Sequence, residues 1–230
     1  MRRGKLFAFS RFFVRLRIGR WTAEVPPPTG PTVYVCHHGN MAGPLTTLCW
    51  LPFPVRPWVL HVFTDRKTCY EQFSGYTFSR RFGLPRPLAN CLAGLVSGYV
   101  SALMASAGAI PVYRGSLHIG ATFRETVAAL KAGDSVLIFP DVDYTGGGDS
   151  IGAVYDGFLL TDRFWRRASD EPLDFVPLRL DHTARRITAG APVRFDRTAE
   201  QKAELVRVRE ALRREINDPE AEARTPHPGG

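Results

Sequence analysis

Short apolar, β-branched runs recur along the chain and alternate with stretches of helical periodicity. Five runs predict strands, at residues 33–36, 58–63, 109–112, 135–139 and 175–180. Between the third and fourth runs, Ile119, Phe123, Val127 and Leu130 share one face of a predicted helix, and Gly133 follows as its cap. Strand, helix and strand in succession are typical of a parallel sheet.

The pattern continues to the end of the chain. A last strand is predicted at 192–195, before a final helix with Leu205, Val208, Leu212 and Ile216 along one side. Residues 217–230 are polar and predict a frayed tail. We therefore predict an α/β fold with a mostly parallel central sheet flanked by helices, formed by a single domain over residues 26–216.

The beginning of the chain has a different character. Residues 1–21 hold seven basic residues and no acidic one, and Phe9, Phe13 and Leu16 recur at helical spacing. Basic side chains such as Arg11 interrupt the apolar stretch, which argues against a signal peptide and against a membrane span. We predict that residues 1–25 form a basic amphipathic helix on an anionic membrane surface. The alternative is an ordinary helix packed on the domain with a solvated basic face.

A second segment bears on membranes. Residues 87–113 contain no charged residue, and this uncharged segment is long enough for a membrane-spanning helix. Small and polar residues such as Asn90, Gly94 and Ser97 dilute its hydrophobicity, and Pro111 ends it. We expect a buried or interfacial helix here.

The composition of the chain indicates which kinds of molecule it is expected to bind. The 230 residues are 44% hydrophobic and 23% charged, as in a globular fold, and the formal net charge of +8 favours anionic partners. The basic excess is concentrated at residues 2–20 and no nucleic-acid recognition motif occurs, so we expect no nucleic acid partner. The four cysteines form no C-x-x-C pair, which argues against a zinc site or a disulfide scaffold.

Polar residues that could take part in catalysis or binding follow three of the predicted strands. They are His37, His38 and Asn40 after the first strand, Arg114 and Gly115 after the third, and Pro140, Asp141 and Asp143 after the fourth. Strand ends are where α/β folds place their sites. A histidine there can act as a general base near neutral pH, and an arginine can bind a phosphate through two hydrogen bonds.

These segments resemble the four sequence blocks of the phospholipid/glycerol acyltransferase family, typified by lysophosphatidic acid acyltransferase. The family's blocks read N-H-x-x-x-x-D, G-x-I-P-V-x-R, F-P-E-G-T-R and V-P-V-x-L, in this order. In the same order, this chain has H-H-G-N-M-A-G from 37, G-A-I-P-V-Y-R from 108, F-P-D from 139 and V-P-L-R-L from 176. The resemblance covers about residues 30–197, and the second block matches best.

The resemblance implies roles for the residues that match. His38 falls on the histidine that removes the proton of the acceptor hydroxyl, Arg114 on the arginine that holds the acceptor's phosphate, and Asp141 on the third block's glutamate. The expected catalytic residues are thus His38, His37 and Asp141. The expected substrate-binding residues are Arg114, Asn40, Gly115, Pro140 and Asp143.

One departure affects the predicted mechanism. The aspartate that should follow His38 by five positions is Gly43, so the usual partner of the imidazole is missing. In a serine-protease-type catalytic triad, loss of such a carboxylate can lower the rate by about four orders of magnitude. Asp141, Asp143, Asn40 and His37 are the candidate replacements, and the sequence does not choose among them.

The expected activity is transfer of a fatty acyl group from acyl-CoA or acyl-carrier protein to a hydroxyl of a lysophospholipid or related glycerolipid. The acyl thioester is a co-substrate, and no cofactor, metal or covalent intermediate is expected. We expect a peripheral protein on the cytoplasmic side of the cell membrane. The alternative is a lipid-binding protein that has kept this fold and lost the chemistry, for which Gly43 is the main argument.

Overall fold

A computed structural model describes residues 4–141 and 154–217. The described residues form seven α-helices: α1 (Lys5–Ile18), α2 (Ala42–Trp50), α3 (Arg66–Gln72), α4 (Arg86–Ala107), α5 (Ile119–Lys131), α6 (Leu160–Arg166) and α7 (Gln201–Asn217). They also form seven strands: β1 (Thr22–Glu24), β2 (Thr32–Cys36), β3 (Val55–Leu60), β4 (Ile110–Val112), β5 (Ser135–Ile138), β6 (Asp174–Asp181) and β7 (Arg186–Ala189). The fold is α/β with a mostly parallel sheet flanked by helices, which confirms the predicted fold class.

Most predicted elements lie where the apolar pattern placed them, and two strands do not. The strand predicted at 58–63 lies at 55–60, and residues 61–63 form a 3-10 helix instead. At the predicted last strand, 192–195, only Val193 pairs, in an isolated antiparallel bridge with Phe175. The sequence did not predict β1 or β7, and β7 returns antiparallel along β6 after a tight turn in which Asp181 accepts a hydrogen bond from the Ala184 amide. Such a hairpin strand is held by its neighbour, so its short apolar pattern gives little signal.

The chain divides into two compact units. The larger unit comprises residues 13–55 and 126–230, and its strands lie in the order β1-β7-β6-β2-β5. Every pairing among them is parallel except β6 with β7. Strand β2 lies between β6 and β5 with all five residues buried, as expected for a strand covered on both faces.

The smaller unit comprises residues 1–12 and 56–125. Strands β3 and β4 pair in parallel, with Trp58 opposite Ile110. Arg56 ties the unit together, since it donates to the Gly108 carbonyl at 2.8 Å and to the Glu125 carboxylate at 2.7 Å. A π-helix, Phe73–Arg81, connects α3 to α4.

The predicted N-terminal helix is present as α1, and the residues after it belong to the larger unit's sheet. Trp21 is buried in the core of that unit, and residues 22–24 form β1, which pairs with β7. Arg15 donates to the Cys49 carbonyl at 2.8 Å and lies over the Trp50 ring. The end of the predicted 1–25 segment therefore packs on protein. Of the predicted tail, 217–230, all residues but Asn217 lie outside the described residues.

Candidate functional site

The candidate site of the larger unit forms because β2 and β5 are parallel neighbours. Val35 of β2 lies opposite Ile138 of β5, and both strands end a residue or less beyond this pair. The chain segments that come after parallel neighbours leave the sheet at the same edge. This register places His37 and His38 beside Asp141, whose own backbone pairs with Val154 in an antiparallel bridge.

Asp141 is a buried carboxylate, 3% exposed, and two consecutive residues contact it. Its Oδ1 meets Nδ1 of the His37 ring, and its Oδ2 accepts a hydrogen bond from the backbone N–H of His38 at 2.8 Å. An ionised carboxylate only accepts hydrogen bonds, so His37 donates through Nδ1 and its Nε2 carries the lone pair. This is the tautomer that a general base requires.

His38, the histidine on the family's catalytic position, has a different environment. Its ring packs edge-on against Phe139, with the ring centroids 5.6 Å apart. Burial lowers the pKa of His38, and the negative charge of Asp141 offsets part of this effect. Among the described contacts of Asp141, the ring contact is thus to His37, while His38 contributes its backbone.

Gly43 is required by the backbone of the loop. A Cβ at this position would lie 2.0 Å from the carbonyl oxygen of His37, which is far inside contact distance. The Gly43 N–H also donates to the His38 carbonyl at 3.1 Å. No side chain fits here without a shift of the loop. The carboxylate that contacts the His37 ring is that of Asp141, which follows β5.

The loop between β2 and α2 reaches this path through two left-handed residues. Asn40 has φ 52° and Met41 has φ 97°, and both are exposed. Asn40 therefore lies on the loop's outer side. Pro140 is buried, and its carbonyl accepts from the Tyr155 amide at 2.7 Å, which anchors the turn that carries Asp141. Asp143 lies outside the described residues.

The Nε2 side of the His37 ring faces Gly39. A Cβ built on Gly39 would lie 3.6 Å from Nε2, and Gly39 has φ 47°, a conformation that favours glycine. A cavity of about 30 Å³ adjoins the ring, and it is lined by Cys36, His37, Gly39, Gly43, Leu178, Leu180, His182 and Ile216. Such a volume holds a water molecule and not an acyl chain.

Arg114 and Gly115 belong to the smaller unit. They form an exposed turn between β4 and α5, and Gly115 has the positive φ of 69° that this turn needs. Tyr113, the preceding residue, stacks on His61 with the ring centroids 5.0 Å apart. The Thr122 hydroxyl donates to the Pro111 carbonyl at 2.8 Å and fixes the start of α5 against β4.

The sequence did not indicate the contacts of two residues here. It placed His37 second to His38, because the family's block aligns with His38. It also did not single out Gly39, whose missing side chain leaves space beside Nε2. The third block offered an indication, because Asp141 stands where the family has glutamate. The shorter aspartate side chain must lie closer to the end of β2 to reach an imidazole.

The described residues contain no group of three His, Cys, Asp or Glu side chains placed to hold a metal ion. Comparison of the chain with protein-family models, with curated proteins and with solved structures found no match. Any assignment of activity therefore depends on the four sequence blocks and on the geometry around Asp141.

Proposed function

We propose that this protein is an O-acyltransferase that moves a fatty acyl group from acyl-CoA or acyl-carrier protein to a hydroxyl of a lysophospholipid or related glycerolipid. The observation that carries this proposal is the contact between His37 Nδ1 and the buried carboxylate of Asp141. A histidine held by a carboxylate at the end of a parallel strand is suited to take a proton from an alcohol.

The reaction needs one base and no covalent enzyme intermediate. Nε2 of His37 takes the proton of the acceptor hydroxyl as its oxygen attacks the thioester carbonyl. The tetrahedral intermediate then collapses, the carbon–sulfur bond breaks, and the leaving thiolate takes the proton from the imidazolium. The products are an ester and a free thiol, and Asp141 stabilises the positive charge that His37 carries in between.

His38 serves in this proposal as a positioning residue. Its amide holds the second oxygen of Asp141, and its ring against Phe139 keeps the backbone at the end of β2 in place. Holding both oxygens fixes the carboxylate plane, and the plane in turn fixes the His37 ring. This reassigns the role of base from His38, where the resemblance puts it, to His37.

The acceptor's phosphate is assigned to Arg114, on the strength of the resemblance alone. An exposed guanidinium can bind a phosphate through two parallel hydrogen bonds, which a lysine cannot reproduce. We also propose that the protein works as a peripheral protein on the cytoplasmic side of the cell membrane. The exposed Phe9, Phe12 and Phe13 of α1 and its basic residues support this location.

The test is turnover of radiolabelled acyl-CoA with lysophosphatidic acid by the purified full-length protein. We expect His37→Ala to lower kcat by about 10³-fold or more, as for loss of a general base. His38→Ala, the comparison on the neighbouring histidine, keeps the amide that holds Asp141 and should lower kcat far less than His37→Ala does. Arg114→Lys should raise KM for the phosphorylated acceptor more than it lowers kcat.

Two results would contradict the proposal. If the wild-type protein binds lysophospholipid without turnover, the alternative of a catalytically degenerate lipid-binding protein is correct. If His38→Ala abolishes turnover while His37→Ala retains it, the activity stands but the assignment of the base to His37 is wrong.

A further inference from the structure

The outer face of α4 carries an unusual distribution of side chains. Its buried positions are small, namely Ala89, Ala93, Ser97, Ser101 and Ala107. Three large side chains point outward, with Leu95 71% exposed, Tyr99 49% and Leu88 47%, while the other large apolar side chains of the helix are half-buried. A surface helix in water shows the opposite arrangement, with its apolar stripe toward the core. An exposed apolar stripe of this kind marks an interaction surface.

We propose that this face, defined by Leu88, Cys91, Leu95 and Tyr99, docks the smaller unit onto an anionic lipid bilayer. These residues recur three, four and four positions apart and so form one continuous stripe along the helix. The proposed function assigns membrane contact to α1 alone, so a second and larger docking surface on α4 goes beyond it. The occupant is a lipid surface, and the helix lies in the headgroup region parallel to the membrane.

By length and composition α4 could cross a membrane, but its inner face is occupied. The Arg66 side chain lies against Gly98, 3.6 Å from the position that a Cβ would take. The stripe of small residues packs inside the unit and brings polar Ser97 and Ser101 with it. A helix with one side on protein and the other exposed and apolar fits the plane of the interface.

Helix α1 extends the same surface. The Gly4 amide donates to the Ser106 carbonyl at 2.9 Å, the Phe7 amide donates to Ser106 Oγ at 2.9 Å, and the Ser10 and Tyr99 hydroxyls are 2.8 Å apart. Residues 4–10 therefore run antiparallel to the second half of α4. The exposed ring of Phe9 (62%) lies on this part of α1, and that of Phe12 (58%) lies two residues beyond it.

The charge of the smaller unit indicates what binds to the exposed face of α4. The described residues of the smaller unit include ten Lys and Arg against three Asp and Glu. Arg80, Arg81 and Arg86 are exposed just before and at the start of α4. An open cleft of about 540 Å³ lies against the helix, with Asp65, Arg66 and Lys67 on its wall and room for a lipid headgroup.

A second copy of the chain is a poorer occupant for this face. A symmetric interface would place two basic surfaces against each other, which costs free energy, whereas each basic residue near an anionic leaflet is attracted to it. The basic residues and the apolar stripe together therefore fit the surface of an anionic bilayer.

A native cysteine on the stripe, Cys91, can carry a fluorescent label that reports on membrane contact. Cys91 is exposed on the stripe, while Cys36, Cys49 and Cys69 are buried, so a thiol-reactive environment-sensitive dye should label Cys91 alone in the folded protein. With vesicles containing phosphatidylserine, we expect the dye's emission to shift to the blue and to be quenched by lipids brominated in the acyl chain. Pure phosphatidylcholine vesicles should give a much smaller change.

Sedimentation with the same vesicles measures the affinity. Leu95→Glu should weaken binding by about tenfold or more, since it removes the burial of one large side chain and adds a repelled charge. Val206→Glu, an exposed substitution on α7 of the larger unit, is the matched control and should bind as wild type.

The outcomes separate this proposal from the proposed function. Turnover of a short-chain, water-soluble acyl-CoA and a soluble acceptor should be the same in Leu95→Glu as in wild type, whether or not lipid is present. Co-sedimentation with no change in the dye would show that another face docks, and a dye change that depends on protein concentration without vesicles would show self-association. Either result overturns the proposal and leaves the acyltransferase assignment standing.

Discussion

The ring of His37 contacts the carboxylate of Asp141 although the two residues are 104 positions apart in the chain. The contact exists because β2 and β5 are parallel neighbours in register, so that the residues after them leave the sheet together. In the family that the sequence resembles, the carboxylate lies in the same loop as its histidine. Here the carboxylate comes from the neighbouring strand, and the loop that would have carried it has no space for a side chain at Gly43.

The first prediction concerns the carboxylate. Asp141→Asn keeps the shape of the side chain, but its amide group can donate to His37 and so favour the tautomer with Nε2 protonated. We expect kcat to fall by about 10⁴-fold, as for the same change in a serine-protease triad, while the far-ultraviolet circular dichroism stays unchanged. The matched control is Asp170→Asn, at an exposed position, which should turn over at the wild-type rate.

The second prediction concerns the loop glycine. Gly43→Ala forces a methyl group onto the His37 carbonyl oxygen, and we expect the free energy of unfolding in urea to fall by about 3 kcal/mol. Gly43→Asp, which restores the family's residue, should be at least as unstable and should not raise turnover. As a control, Gly94→Ala introduces a methyl group into open space within a helix and should be neutral or slightly stabilising. A stable, more active Gly43→Asp protein would contradict the described path of the loop.

The third prediction uses the pKa of His38, which burial holds below its ordinary value of 6.5. Between the two values the unfolded chain binds a proton that the folded protein does not, so the stability falls as the pH falls. The stabilising contribution is present above the unfolded pKa and is lost as the pH falls through the folded pKa. The free energy of unfolding should therefore decrease less from about pH 8 to about pH 5 in His38→Gln than in wild type. Equal decreases would show that His38 is not buried as described.

The fourth prediction concerns thiol reactivity. Burial raises the pKa of the Cys36 and Cys69 thiols, and the thiolate is the reactive form. In the folded protein one thiol, Cys91, should react rapidly with Ellman's reagent, and the other three should react only in denaturant. Cys91→Ser should abolish the rapid phase and leave the total in denaturant lower by one. A rapid phase that persists in this variant would show that another cysteine is accessible.

The sequence determined most of the secondary structure and the fold class, because the signals for them are local. Four of the predicted strands overlap closely with β2, β4, β5 and β6, and the predicted helix after Gly115 is α5. Periodicity of two or of 3.6 residues and a left-handed glycine at 133 suffice for such elements. Strand β7 lacked this signal, since the hydrogen bonds that define it come from β6.

Which imidazole meets the carboxylate was decided only by the tertiary structure. Two adjacent histidines at a strand end are equivalent in the sequence, and the choice of His37 depends on the register of β2 with β5 and on the path of the loop through Asn40 and Met41. The exposure of the large side chains on α4 is likewise a property of the packed protein. An apolar helix has the same sequence whether it is buried or exposed, and the neighbours that cover one of its faces come from elsewhere in the chain.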